Sequence, residues 1–440
     1  MTKTAAAPDT LDSCCEQIQD LYNASFLWEC LSVARLNVLL LAMNPNLNRL
    51  QPYPFQKLAQ LLEGITPRSD PPPINLSIGE PKHATPEFIQ ETLTKNLNGL
   101  ANYPVTRGSL GLRQAIAAWL LRRFHLQKID ADSEVLPVNG SREALFAIAQ
   151  TVINASLPKS VLVCPNPFYQ IYEGAALLAG AEPQFLNLMP QKNFRLDFDQ
   201  LDEAVWRRSQ LVYICTPGNP CGNVMTMNEW EELFRRADHY GFVVASDECY
   251  SELYFDEHKP CIGSLEAAQR LGRSGYSRLI VFNSLSKRSN VPGMRSGCVA
   301  GDAAIIEKFL LYRTYHGCAM SPPVQAASIA AWNDETHVVE NRRMYRDKFT
   351  KVAPILLQFM PNLEIPQGGF YFWARTPIPD VEFAWLLYRD YNVTVLPGSY
   401  LARAAHGINP GLNHVRIALV APLAECIEAA QRIADFIEQL

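Results

Sequence analysis

The segment SLSKRSNVPGMRSG, residues 284–297, holds one lysine, Lys287, and one arginine, Arg295, eight positions apart inside a run of Ser, Pro and Gly. Alone, Lys287 reads as a solvated surface cation. The company it keeps suggests other work. An amine that condenses with a carbonyl must be deprotonated near neutral pH, and a neighbouring cation lowers its pKa by disfavouring the ammonium form. A guanidinium such as that of Arg295 presents parallel donors to a dianionic phosphate. Ser284 and Ser286 add hydroxyl donors, while Pro292 and Gly293 turn the chain so that both ends can face one ligand.

Working outward, three apolar runs lead into polar residues of matching character. LVYIC (211–215) runs into Thr216-Pro217-Gly218-Asn219-Pro220, FVVAS (242–246) into Asp247-Glu248-Cys249-Tyr250, and LIVFN (279–283) into Ser284–Lys287. With a fourth run at 161–164 they have the length and continuity of strands covered on both faces. Helical patterns at 110–124, 142–154, 170–180 and 226–240 alternate with them, which predicts a doubly wound α/β sheet. Ligands of such sheets bind beyond the carboxyl ends of the strands, where the polar residues fall. Past residue 320 long helices (337–359 and 423–438) flank strand-like GGFYFW (368–373), VTVLPGSY (393–400) and HVRIALV (414–420), predicting a smaller α+β domain. INLSIGEP (74–81) reads as a short strand ending at Gly79, where a backbone N–H can approach a ligand.

A chain of 440 residues, 48% hydrophobic, supports two domains with sizeable cores. A net charge of −5 argues against a nucleic-acid or anionic-membrane surface. Its 11 cysteines are scattered, with no CxxC and no matching histidine cluster, so no metal site or disulfide framework is expected, and free thiols fit a reducing cytoplasm. HExxH, Walker and GxGxxG motifs do not occur. Residues 1–42 lead into apolar LNVLLLAM (36–43), too short to span a bilayer and preceded by acidic rather than basic residues. They read as an extension or as the result of a start codon placed before Met43.

NPxG at 219–222, DExY at 247–250 and SLSK…R at 284–295 together resemble the class I/II aminotransferases of pyridoxal-phosphate fold type I. The likeness covers Met43 to the end and departs at Ser296, where the family usually has an aliphatic residue. It implies a mostly parallel seven-stranded sheet in a large domain (82–320) and a small C-terminal α+β domain (321–440), with 43–81 as an arm and part of the small domain. It also implies pyridoxal 5′-phosphate as cofactor, amino acids and 2-oxo acids as substrates, and a homodimer with shared active sites.

On this resemblance Lys287 forms the Schiff base and shuttles the proton. Asp247 pairs with the pyridine nitrogen, whose cationic form absorbs carbanion electrons. Asn219 and Tyr250 donate to the phenolic oxygen. Gly140-Ser141-Arg142 opens a helix whose amides receive the phosphate, with Ser284, Ser286 and Arg295. Tyr169 stacks on the ring, and Tyr103 reaches the phosphate from the neighbouring subunit. Arg416 grips the substrate α-carboxylate, with Gly79, Asn219 and Phe370 around it.

The segments YPFQKL, SIGEPKHATP and YRTYHGCAMSPPVQAA are similar to the bacterial succinyldiaminopimelate aminotransferases of lysine biosynthesis, which use glutamate as donor. Other aminotransferases (aspartate, alanine or kynurenine type) and pyridoxal-phosphate β-lyases stand as alternatives. A regulator with this body would need a DNA-binding helix pair, and residues 1–42 are too short and too acidic for one.

Overall fold

A computed structural model describes residues 43–68 and 70–440; the expectation for residues 1–42 lies outside them. By packing, the described residues before Gln51 belong to a separate unit, in which the 3-10 turn Pro45–Arg49 is capped by the Asn44 side chain. Everything that follows concerns Gln51–Leu440.

Twelve strands occur among the described residues: β1 (Ile74–Asn75), β2 (Val135–Val138), β3 (Val161–Asn166), β4 (Glu182–Asn187), β5 (Ser209–Cys215), β6 (Val243–Asp247), β7 (Leu279–Ser284), β8 (Gly297–Gly301), β9 (Tyr371–Arg375), β10 (Val393–Thr394), β11 (Leu396–Pro397) and β12 (His414–Ala418). Seven of them form the main sheet in the order β2-β8-β7-β6-β5-β3-β4, parallel except for β8. Successive strand residues alternate between two apolar cores. Val161, Val163, Val212, Ile214, Val244, Leu279 and Val281 enter one. Leu162, Cys164, Leu211, Tyr213, Ala245, Ile280 and Phe282 enter the other. This explains the continuous apolar runs, since both faces of each strand are covered.

Local chemistry fixes the helices between them. Met227–Tyr240 begins with a Thr226/Glu229 capping box and stops at Gly241, whose φ of 86° is left-handed. Ala303–His316 begins on the Asp302 side chain. Three strands carry weaker sequence signals. The sheet's two edges are β2, interrupted by Pro137, and β4, half-exposed over much of its length, while β8 is short and bounded by glycines.

A third core gathers Ile74, Leu76, the Phe349–Leu356 face of helix Thr336–Phe359, and strands β9 and β12. Ile74 and Asn75 pair in parallel with Val393 and Thr394, so the segment before Gly79 joins this core. Helix Pro322–Asn333, however, buries Ala327, Ala331 and Trp332 in the large-domain core. The change of core therefore follows this helix.

Two expected strands are shorter. The 74–79 strand stops at Asn75, because the carbonyls of Ser77 and Gly79 accept from side chains of Arg416 and Lys287. VTVLPGSY divides into β10 and β11, in different sheets, then turns at Gly398, where a Cβ would lie 2.5 Å from the Gly411 carbonyl oxygen.

Candidate active site

Parallel register puts Cys215 beside Asp247 and Asp247 beside Phe282, so β5, β6 and β7 end together. Beyond those ends lies a cavity of about 690 Å³ lined by Gly79, Ser141, Arg142, Tyr169, Asn219, Asp247, Tyr250, Ser284, Ser286, Lys287, Arg295 and Arg416. Residues more than 300 positions apart in the chain thus share one wall.

Lys287 sits on a single helical turn, Leu285–Arg288, capped by Ser284 Oγ, which accepts from the Ser286 amide at 3.1 Å. Its Nζ donates to the Gly79 carbonyl at 2.5 Å and stands 5.4 Å from the centre of the Phe370 ring. Its pKa falls from 10.5 to about 8. Burial is the largest cause; Arg416 and Arg295 push the same way, against Cys249 and Glu80. The sequence reading gave this role to a neighbouring cation, which proves secondary to desolvation.

Asp247 is buried, and its Oδ2 accepts from the Tyr172 hydroxyl at 2.7 Å while Oδ1 accepts from the Cys249 amide at 3.2 Å. Burial raises its pKa, opposed by the hydrogen bonds from Cys249 and Tyr172. Tyr172 itself stacks on Tyr213 at 4.5 Å, which leaves the carboxylate little freedom to turn. Tyr250 exchanges a hydrogen bond with Tyr371 at 3.0 Å.

Opposite these groups, Gly140 opens helix Ser141–Val152 with φ of 86° and no side-chain cap, so the first-turn amides are left for a ligand. A Cβ at Gly140 would lie 2.3 Å from Nη2 of Arg295. Arg295, itself left-handed at φ 54°, donates to the Pro292 carbonyl at 2.9 Å. Free helix amides and a guanidinium packed against a glycine form a cradle that suits a phosphate. With a buried amine and a buried carboxylate on the facing wall, these residues fit pyridoxal phosphate.

Arg416 on β12 donates through Nη1 to Asn219 Oδ1 at 3.1 Å and through Nη2 to the Ser77 carbonyl at 2.7 Å. Its Nε is buried without a partner among the described residues. The Tyr371 ring lies under the guanidinium at 4.4 Å. Because Arg416 occupies Asn219 Oδ1, the Asn219 amide nitrogen remains free to donate. Arg142 donates through Nε to the Tyr169 hydroxyl at 2.5 Å.

One expected residue lies elsewhere. Phe370 is fully buried behind the cavity wall, packed on Tyr250 and Tyr345, and its neighbour Tyr371 faces the cavity instead. Tyr103, expected to act in the neighbouring subunit, is wholly exposed and does not line this chain's own cavity. Three further residues were missed: Tyr172, Tyr371 and Ser77. Only Tyr172 carried a usable signal, since it follows Tyr169 by three positions, the spacing of one helical turn.

The family model for class I and II aminotransferases matches residues 71–433. An LL-diaminopimelate aminotransferase of Nitratidesulfovibrio vulgaris (strain DP4) is 32% identical over 368 residues, 82% of this chain and 90% of its own. Among solved structures, an aminotransferase from Neisseria meningitidis Z2491 is 52% identical with a TM-score of 0.86, covering 90% of this chain and 100% of its own. The aminotransferase AspB from Helicobacter pylori 26695 is 32% identical with a TM-score of 0.81, covering 89% and 99%. A family match across most of the chain, with aminotransferases among relatives and structural neighbours alike, places this protein among the class I and II aminotransferases, which move amino groups with pyridoxal phosphate.

Proposed function

We propose that this aminotransferase acts on a long dicarboxylic amino acid of the diaminopimelate type, N-succinyl-LL-2,6-diaminopimelate, with 2-oxoglutarate and glutamate as the partner pair. The observation that carries the site assignment is the convergence of Lys287 Nζ, Asp247, Arg295 and Arg416 on one cavity. Bound there, pyridoxal phosphate supplies an aldehyde that condenses with amines and a ring that takes up the electron pair left when a neighbouring C–H bond breaks.

The chain's own residues do the rest. Lys287, its pKa lowered to about 8, supplies the amine and would then move the proton from the substrate Cα to the cofactor's C4′. Asp247, held by Tyr172, faces the ring nitrogen and favours its cationic form. Asn219 and Tyr250 donate to the phenolic oxygen. The amides of Ser141 and Arg142, with Ser284, Ser286 and Arg295, hold the phosphate, and Tyr169 covers the ring. Arg416 fixes the α-carboxylate, its Nε gaining the partner it lacks, with Gly79 beside it and Tyr371 under the guanidinium.

The cavity also carries a cation that these roles leave partly free. Among the described residues Arg142 has a hydrogen-bond partner only for Nε, so its terminal nitrogens can meet a carboxylate at the far end of a long substrate. A second reading is favoured by the curated relatives, which are LL-diaminopimelate aminotransferases: the substrate is then the free diamine. Single-turnover release of the 2-oxo acid, measured with the succinylated and the free compound, tests both. Stoichiometric product from the succinylated compound supports the first reading; product from the free diamine alone supports the second. Product from aspartate, alanine or kynurenine only overturns both.

The exposed Tyr103, Leu100, Val105 and Tyr315 side chains support a homodimer, in which Tyr103 enters the partner's phosphate site. No described helix is long and apolar enough to cross a membrane, and a soluble biosynthetic role in the cytoplasm fits the free thiols.

A further inference from the structure

Four consecutive residues, Lys287 to Asn290, are gripped from one distant helix. Asn341, fully buried on Thr336–Phe359, donates through Nδ2 to the Lys287 carbonyl at 3.0 Å and to the Arg288 carbonyl at 3.3 Å. Its Oδ1 accepts from Asn290 Nδ2 at 3.0 Å and lies 3.0 Å from His83 Nδ1. One turn earlier on the same helix, His337 Nε2 meets Ser289 Oγ at 2.8 Å.

An asparagine amide has two N–H donors and an oxygen with two lone pairs, and here all four positions are filled. The network admits one amide orientation, because turning the amide over would point its oxygen at two carbonyls. It also fixes the His83 tautomer, since an accepting Oδ1 requires the proton on Nδ1. His83 can hold that neutral form: burial lowers its pKa and Lys348 adds to this, opposed by Asn341 and Glu340. The Tyr345 ring packs on it at 4.5 Å.

The geometry assigns Asn341 as a positioning residue for Lys287, coupling two contacts of the reacting amine that the sequence keeps far apart. One is the turn that carries the lysine. The other is the segment Gly79–His83, whose first residue accepts from Lys287 Nζ and whose last contacts Asn341. The same helix packs Phe349, Val352 and Leu356 into the small-domain core, so the amine's seat against Gly79 is referenced to that domain. This assignment rests on the proposal that Lys287 is the reacting amine.

Its test reads the amine itself. The cofactor-free full-length protein is treated with acetic anhydride across a pH series, and acetylation of Lys287 is followed by peptide mass spectrometry. In the unaltered protein half-maximal reactivity is expected near pH 8. Asn341→Asp keeps the shape but replaces two donors by a carboxylate facing two carbonyls. The turn then shifts, Nζ leaves Gly79 for water, and the midpoint rises by about one unit, a roughly tenfold loss of reactivity at neutral pH. His83→Leu removes one bond of the four and shifts the midpoint the same way by less, while His83→Asn, whose amide stands near the place of Nδ1, restores it. In the holoenzyme these variants lower kcat and leave KM for the amino acid nearly unchanged, because Arg416 is untouched.

Leu356→Ala, which destabilises the same helix without touching the network, is the control. An unchanged midpoint in Asn341→Asp and His83→Leu overturns the assignment, and so does an equal shift in Leu356→Ala. Failure of the catalytic reading would show separately, as activity surviving Lys287→Ala.

Discussion

Arg416 and Lys287 illustrate opposite uses of burial. Desolvation lowers the lysine's pKa to about 8, whereas the arginine keeps one buried nitrogen, Nε, unpartnered among the described residues. An unpaired buried donor is costly, and a substrate carboxylate relieves it. Arg416→Gln removes the charge and the paired donors, each worth about 1.5–3 kcal/mol, and should lower kcat/KM by at least roughly 10²-fold, mostly through KM. Steady-state kinetics with amino donor and 2-oxo acid check this; an unchanged KM would place the carboxylate elsewhere. At this scale the sequence was informative where a residue's task is written in its type. Lys287, Asp247, Asn219 and Arg416 could be singled out because a motif or strand end carries them. Ser77 could not, since its carbonyl does the work and every residue has one. Tyr371 was hidden beside Phe370, because nothing in GGFYFW says which ring faces the cavity.

Among the elements, the helix Ser141–Val152 shows how a missing side chain makes a site. A serine or aspartate at the cap would bond the first-turn amides; Gly140 leaves them open and lets Arg295 lie against the backbone. Gly140→Ala meets two obstacles: its φ of 86° is unfavourable with a Cβ, and that Cβ would lie 2.3 Å from the guanidinium. That backbone conformation, at φ 86° and ψ 153°, is nearly confined to glycine and alone costs about 1–3 kcal/mol for other residues. Cofactor affinity, measured by equilibrium dialysis of the variant, should fall by at least about tenfold while the fold persists; full affinity would contradict the cradle. Elements with continuous or helical apolar patterns were legible, because burial on both faces or on one stripe dictates their composition. The edge strands β2 and β4 were not. An edge tolerates proline and half-exposed polar residues, so its pattern resembles that of a loop.

Across the molecule, a buried charge cluster ties distant parts together. Glu252 is 3.3 Å from Arg123 and 3.1 Å from Arg342, and accepts from Trp119 Nε1 at 3.0 Å. Arg288, beside Lys287, stands 3.9 Å away. The surrounding arginines lower the Glu252 pKa against the opposing effect of burial, the largest single influence. Its stabilising contribution is therefore present at neutral pH and lost as acid protonates the carboxylate below its usual range. Glu252→Gln leaves Arg123 buried without its countercharge, while Arg342 keeps Glu257 and Arg288 keeps Glu335, and should cost about 3–5 kcal/mol in denaturant unfolding at pH 7. Loss of less than about 1 kcal/mol would show that water reaches the cluster. Such pairings were invisible in sequence, since they join residues with no shared spacing.

Assembly belongs to the same scale. On the proposed homodimer, Tyr103→Phe should weaken cofactor binding while light scattering finds a dimer; unchanged affinity, or a monomer in the unaltered protein, would contradict the proposed role of Tyr103.

The most direct check is chemical. The holoenzyme is reduced with borohydride, digested, and its peptides searched for a lysine carrying the reduced cofactor. The label is expected on Lys287 within SLSKRSNVPGMRSG and on no other lysine. A label on a different lysine, or a protein that takes up pyridoxal phosphate and yields none, would contradict the account.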